Sequence, residues 1–206
     1  MLSVRTKICG ITRVEDALAA AEFGADAIGL VFYKKSPRYV APDDAKKIVA
    51  ALPPFVTVVG LFVDADPVDI RHVLSLVPLD LLQFHGAELE SDCVKYERPY
   101  IKAVAMKPGV ELSSVIEQYS QAQGILLDTY DPTLPGGTGK AFDWSFVPQN
   151  LTKPIILAGG LTPDNIQDAV RATLPWAVDV SGGVEESKGK KDHRLIKSFI
   201  EGVHRV

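Results

Sequence analysis

Cysteine is scarce in this chain: Cys9 and Cys93 are the only two in 206 residues. That is too few for a disulfide framework, and neither sits at a metal-type spacing. The spacing does not exclude a bond between them, but two reduced thiols in a cytoplasmic protein are the simpler expectation. Long apolar runs are missing as well. No stretch of 18 apolar residues occurs, so no membrane span is expected. Met1 to Lys7 shows no apolar segment after its charges, so no signal peptide is expected. Charge of one sign is not in large excess. The net charge is −4, from 22 basic and 26 acidic residues, with no basic stripe, which argues against a nucleic-acid partner. An anionic ligand would have to be held by local geometry rather than by the overall field.

What the chain does have is alternation. Short Val/Ile/Leu-rich runs recur at Val4 to Cys9, Ala27 to Phe32, Val56 to Val63 and Leu79 to Phe84. They continue at Tyr100 to Ala105, Gly124 to Leu127, Ile155 to Ala158 and Trp176 to Val180. Their near-continuous apolarity is that of strands buried on both faces. Helix-like segments separate them: Arg13 to Glu22, Pro42 to Leu52, Asp66 to Leu76, Glu88 to Tyr96 and Glu111 to Tyr119. A short weak one spans Phe142 to Pro148. Another opens at Thr162-Pro163-Asp164, with Thr162 as N-cap and proline in the first turn, and Lys191 to His204 closes the chain. Strand then helix, eight times at about 26 residues per unit, predicts one α/β domain over residues 1–206: a (β/α)8 TIM barrel. A Rossmann or flavodoxin-like sheet is the rival, but it needs fewer strands, and no Gly-x-Gly-x-x-Gly follows the first one.

Barrel enzymes place their chemistry at the C-terminal ends of the strands. The polar residues there are Lys7, Cys9, Arg38, Gln83, His85, Asp128, Asp179 and Ser181. Glycine clusters follow strands six, seven and eight: Gly136-Gly137-Thr138-Gly139, Gly159-Gly160 and Gly182-Gly183. One pair reads as an ordinary turn, but three on neighbouring loops point to a phosphate held by backbone amides, with Ser181 adding a hydroxyl. Cys9 reads equally well as an inert core thiol or as a base, and Lys7, on the same strand face, would favour its thiolate. Asp128 is a candidate general acid or a cap on the following loop. Asp179 reads as a structural partner for a cation, and His85 as a hydrogen-bonded support with no metal triad around it. Arg38, in Lys34-Lys35-Ser36-Pro37-Arg38, is either solvated or a clamp for a carboxylate. Cys93, in a helix pattern, reads as packing.

Taken in order, several motifs resemble one family. They are Lys7-Ile8-Cys9-Gly10-Ile11-Thr12, Gly29-Leu30-Val31-Phe32-Tyr33 with Ser36-Pro37-Arg38, Gln83-Phe84-His85-Gly86 and Leu126-Leu127-Asp128. Then come Gly136-Gly137-Thr138-Gly139-Lys140 with Phe142-Asp143-Trp144, Ala158-Gly159-Gly160-Leu161 and Val178-Asp179-Val180-Ser181. Gly183-Val184-Glu185 and Gly189-Lys190-Lys191-Asp192 complete the series. Over nearly its whole length the chain is similar to the phosphoribosylanthranilate isomerases of tryptophan biosynthesis. That resemblance implies an Amadori rearrangement of N-(5′-phosphoribosyl)anthranilate, with Asp128 as general acid and Cys9, starting as thiolate, as general base. It implies that Arg38 faces the anthranilate carboxylate, and that Gly160, Ser181 and Gly183, with the Gly137 to Gly139 loop, hold the phosphate. Lys7, Gln83, His85, Gly139, Gly159, Asp179 and Gly182 complete the expected substrate site. No metal or other cofactor is implied, and the chain is expected as a monomer or homodimer.

Two positions depart from the family's pattern. Ser181-Gly182-Gly183 stands where Ser-Ser-Gly is usual, and Phe84 replaces a commoner leucine. Other barrels fit less well. An indole-glycerol-phosphate synthase needs a Lys and Glu pair at strand ends, and a pentose-phosphate epimerase needs a set of metal ligands. A related aminoaldose isomerase would carry Asp rather than Cys at position 9. A non-catalytic phosphate-sensing barrel is the rival of a different class.

Overall fold

In the computed structural model, residues 4–129, 143–148 and 151–206 are described. Eight strands form one closed parallel barrel in chain order. They are β1 (Arg5–Cys9), β2 (Ala27–Val31), β3 (Thr57–Phe62), β4 (Leu81–Phe84), β5 (Tyr100–Met106), β6 (Gly124–Thr129), β7 (Ile155–Leu157) and β8 (Ala177–Val180). Closure joins the first strand to the last, with Lys7 in register with Asp179. The helices are α1 (Val14–Glu22), α2 (Pro42–Ala51), α3 (Pro67–Leu76), α4 (Glu90–Cys93), α5 (Leu112–Gln118), α6 (Ile166–Thr173) and α7 (His193–His204). None of those described is long and apolar enough to cross a membrane. Both cysteines are buried and free.

The alternation of side chains along each strand divides the core in two. Ile8, Ile28, Leu30, Leu82, Ile125, Leu127 and Val178 face outward and pack with the helices, Phe199 of α7 among them. Leu126, Ile101, Ala103, Ile156 and Ala177 fill the inside of the barrel. Cys9, Val31 and Leu61 form a separate inward layer. An outward aromatic row runs through Phe32, Phe62, Phe84 and Tyr96, with successive ring centroids 5.4, 6.4 and 6.0 Å apart. The unusual Phe84 thus belongs to the outer packing, where it also meets the edge of Tyr100.

Four expected helices differ from the structure. The one expected over Glu88 to Tyr96 is a four-residue helix, Glu90–Cys93, followed by a 3-10 turn, Val94–Tyr96. The weak sixth is a single 3-10 turn, Trp144–Phe146, too short for a face of its own, and Phe142 lies outside the described residues. Near residue 162, α6 proper starts only at Ile166. The Asn165 side chain accepts from Thr162 N (2.8 Å) and donates to the Gly160 carbonyl (2.9 Å), which closes a separate turn before the helix. At the C-terminal end, Lys191 is not helical. Strands β9 (Glu185–Ser187) and β10 (Lys190–Lys191) make a small antiparallel hairpin, and α7 follows after Asp192. The Asp192 carboxylate accepts from Arg194 N and Leu195 N, an N-cap that sets the start of the helix.

Candidate active site

On β1, β4, β6 and β8 the inward register belongs to polar groups: Lys7 and Cys9, Gln83, Asp128, and Asp179. All five are buried. Burying charge costs several kcal/mol per ion unless it is paired, so their pairing is the first question. Lys7 Nζ donates to Asp179 Oδ1 at 2.9 Å, which joins the first and last strands inside the barrel. A glycine opposite makes room for this. A Cβ at Gly29 would lie 2.7 Å from the Cys9 sulfur and 3.1 Å from the Lys7 Cε.

Burial works against the Lys7 ammonium, but Asp179 and Cys9 outweigh it and hold its pKa above the ordinary lysine value. Opposing influences act on Cys9, which the resemblance implies as a thiolate. Burial, the largest influence, pushes its thiol up, and the pull of Lys7 and Lys191 does not reverse this because Asp179 also pushes it up. At this sulfur, burial and Asp179 oppose the thiolate while the two lysines favour it.

Above this floor a cleft opens at the C-terminal ends of the strands. Cys9, Arg38, Gln83, His85, Asp128 and Asp179 line it. So do Gly159, Gly160, Ser181, Gly182 and Gly183. Lys7 lies one layer below and does not line it. Gly137 and Gly139 lie outside the described residues. Asp128 accepts from its neighbour's backbone, Thr129 N, at 2.7 Å and faces His85 Nε2 at 3.2 Å. The other ring nitrogen, His85 Nδ1, faces the Gln83 amide nitrogen at 3.0 Å.

Gly159 and Gly160 both have positive φ, 81° and 66°, so their loop bends in a way side chains rarely allow. Ser181 Oγ is buried without a hydrogen-bond partner among the described residues. Among those residues no group of three or more His, Cys, Asp or Glu is arranged to hold a metal ion.

Two charged residues escaped the reading of the sequence as site components, although both lie in its quoted motifs. Glu185 receives Arg38 in a two-pronged contact, Nε to Oε1 at 2.7 Å and an Nη to Oε2 at 2.8 Å. Lys191 Nζ, fully buried, donates to Glu185 Oε1 (3.1 Å) and to the Ser181 carbonyl (3.0 Å). The hairpin β9–β10 thus carries a carboxylate and a cation that hold Arg38 at the rim. The signal in the sequence was Glu185 and Lys191 placed on either side of Gly189, which turns the hairpin. Lys35 and Lys188 also line the cleft, and neither was singled out.

The family model for N-(5′-phosphoribosyl)anthranilate (PRA) isomerase matches residues 6–202. The chain belongs to the N-(5′-phosphoribosyl)anthranilate isomerase family. It is 60% identical over 203 residues to an N-(5′-phosphoribosyl)anthranilate isomerase of Pseudomonas fluorescens Pf0-1, covering 98% of this chain and all of the relative. Its fold superposes on the phosphoribosyl anthranilate isomerase of Thermotoga maritima with a TM-score of 0.91 at 45% identity, covering 98% of this chain and 100% of the other. A second solved isomerase is in complex with reduced 1-(o-carboxyphenylamino)-1-deoxyribulose 5-phosphate. It gives 0.84 at 42% identity, with coverage of 98% and 100%. As a member of this family the chain is an isomerase, and its closed eight-stranded barrel is the fold that the motifs implied.

Proposed function

We propose that the chain converts N-(5′-phosphoribosyl)anthranilate to 1-(2-carboxyphenylamino)-1-deoxyribulose 5-phosphate, in tryptophan biosynthesis, by acid–base chemistry from Asp128 and Cys9. The observation that carries this reading is one cleft in which both groups meet basic side chains. Asp128 and Cys9 reach it from opposite parts of the barrel, on β6 and β1, and Lys35, Arg38 and Lys188 stand around it. Such a cleft suits a ligand with an anionic phosphate at one end and a carboxylate at the other.

In this reading Asp128 gives a proton to the furanose ring oxygen, the C1′–O bond breaks, and the glycosylamine nitrogen becomes a protonated Schiff base. Cys9 then takes the C2′ proton, and the C–H electrons neutralise the iminium to an enolamine. Ketonisation adds a proton at C1′ and releases one from O2′, so protons balance over the cycle and no redox partner is needed. For this step the sulfur must stand as thiolate, which Lys7 and Lys191 favour against burial and Asp179. The cationic Schiff base appears beside the sulfur only after ring opening and favours the thiolate when it is needed. Arg38, already aimed by Glu185, faces the anthranilate carboxylate. Gly159, Gly160, Ser181, Gly182 and Gly183 receive the phosphate, which gives the orphaned Ser181 hydroxyl a partner.

The test is fluorescence loss of phosphoribosylanthranilate with the purified chain. Cys9→Ala and Asp128→Asn should each lower kcat by about 10²–10⁴-fold with the fold intact. Near wild-type turnover in both would reject the assignment and leave a phosphate-binding barrel. A solved isomerase of Thermotoga maritima is a dimer from which monomers have been generated. For this chain a monomer or a homodimer is proposed, to be decided by sedimentation. The free thiols of Cys9 and Cys93 support a reducing, cytoplasmic location.

A further inference from the structure

Two side chains lead inward from the Asp128 carboxylate, His85 and then Gln83, and the amide of Gln83 bears on where the ring hydrogen sits. An amide nitrogen can only donate, and the nitrogen of Gln83 faces His85 Nδ1 at 3.0 Å. With the amide nitrogen on this side, Nδ1 takes the acceptor role. A neutral imidazole then carries its proton on Nε2, which points at Asp128 Oδ2, 3.2 Å away. Gln83 is completely buried, and its Oε1 has no partner among the described residues. Nothing on the far side of the amide competes with its contact to the ring.

The backbone on both sides of His85 is also clamped. His85 N donates to the Phe62 carbonyl, and Lys102 Nζ donates to the carbonyls of Phe84 and Gly86. The ring is held in place, so the amide decides its chemistry.

We propose that Gln83 is a positioning residue that keeps His85 neutral, with its proton on Nε2, so that Asp128 faces a hydrogen-bond donor and not a full positive charge. A second ring proton, on Nδ1, would point at the amide N–H group and be repelled. This matters because an imidazolium beside Asp128 would hold it as carboxylate and deprive the reaction of its proton donor. The inference rests on the reading of Asp128 as that donor. Other charged groups bear on the pair: Cys9, Asp179, Arg38, Lys35 and Lys188 around the cleft, and Lys102 with Glu88 and Asp64 behind the β4 loop. None of these touches Nδ1; the ring nitrogen faces Gln83.

Histidine-selective 15N labelling tests this, because the chain has only four histidines and His85 is assigned from a His85→Asn spectrum. In the wild type at neutral pH the ring should show a protonated Nε2 and a bare Nδ1. Gln83→Glu places an acceptor at Nδ1 and should add the second ring proton. It should also lower kcat at neutral pH by about tenfold or more and move the alkaline limb of the rate profile to lower pH. Gln83→Met, of similar shape, should release the ring to a mixture of tautomers. A wild-type ring protonated on Nδ1 overturns the proposal without any variant, as do ring shifts and pH profiles left unchanged by both substitutions. Full activity in Asp128→Asn would instead remove the proton-donor reading, while the tautomer, measured in the resting protein, still decides what Gln83 does.

Discussion

At the scale of single residues, the inside of the barrel is an electrostatic compromise. Lys7 and Asp179 are each less than a tenth exposed and meet at 2.9 Å. Removing one partner leaves the other charged and buried. Lys7→Met is expected to lower stability by about 3–5 kcal/mol, read by urea unfolding. It also removes the stronger of the two lysines that pull the Cys9 thiol down, so Cys9 in that variant should react with thiol reagents at a still higher pH. Cys93 offers a cleaner titration. Burial pushes its pKa from 9.0 up to about 12. Above pH 9 the unfolded chain releases this proton while the folded chain keeps it. Stability is thus full below pH 9 and falls between 9 and 12. At pH 10.5 the loss amounts to about 2 kcal/mol. Melting curves from pH 8 to 11 should show a shallower decline in Cys93→Ala. Neither behaviour was legible in the chain itself. Residue order placed Lys7 on the face of Cys9, but the balance of burial against charge at the sulfur depends on what fills the barrel.

At the scale of elements, the hairpin β9–β10 is the part that the sequence concealed. Its strands are three and two residues long, shorter than any periodicity can reveal. Lys191 therefore read as the start of a helix that actually begins after the Asp192 cap. The eight barrel strands, by contrast, were legible because burial on both faces leaves continuous apolar runs, which the inward polar residues interrupt only singly.

The hairpin's Glu185 is a strong acid for a buried carboxylate. Burial raises its pKa, but Arg38 and Lys191 outweigh this and leave it below the ordinary 4.5. Its contribution to stability is present above about pH 4.5 and is lost as pH falls through the lowered value. Glu185→Gln should flatten the acid side of the stability profile. The same change frees Arg38 from its fixed aim. In the proposed function this should raise KM for the carboxylate-bearing substrate more than it lowers kcat, as steady-state kinetics would show. Gly183 ties the eighth loop to the seventh, since a Cβ there would collide with the Leu161 carbonyl. Gly183→Ala should weaken the binding of inorganic phosphate, measured by calorimetry, while α7 and the barrel stay folded.

At the scale of the molecule, the ion pair beneath Cys9 connects residues 172 positions apart. Every other strand pairs with the one next to it in sequence, so most of the sheet can grow by local steps. The seam between β1 and β8 can form only when nearly the whole chain has been made and has wrapped round. Loop closure over that span is slow, and its entropy must be met before the contact rewards it. Until then Lys7 lacks the counter-charge of Asp179, and a nascent chain on the ribosome holds a lysine and thiol that have not met their carboxylate. Competence for proton transfer should therefore arrive last in refolding, after the helices and most of the barrel have formed.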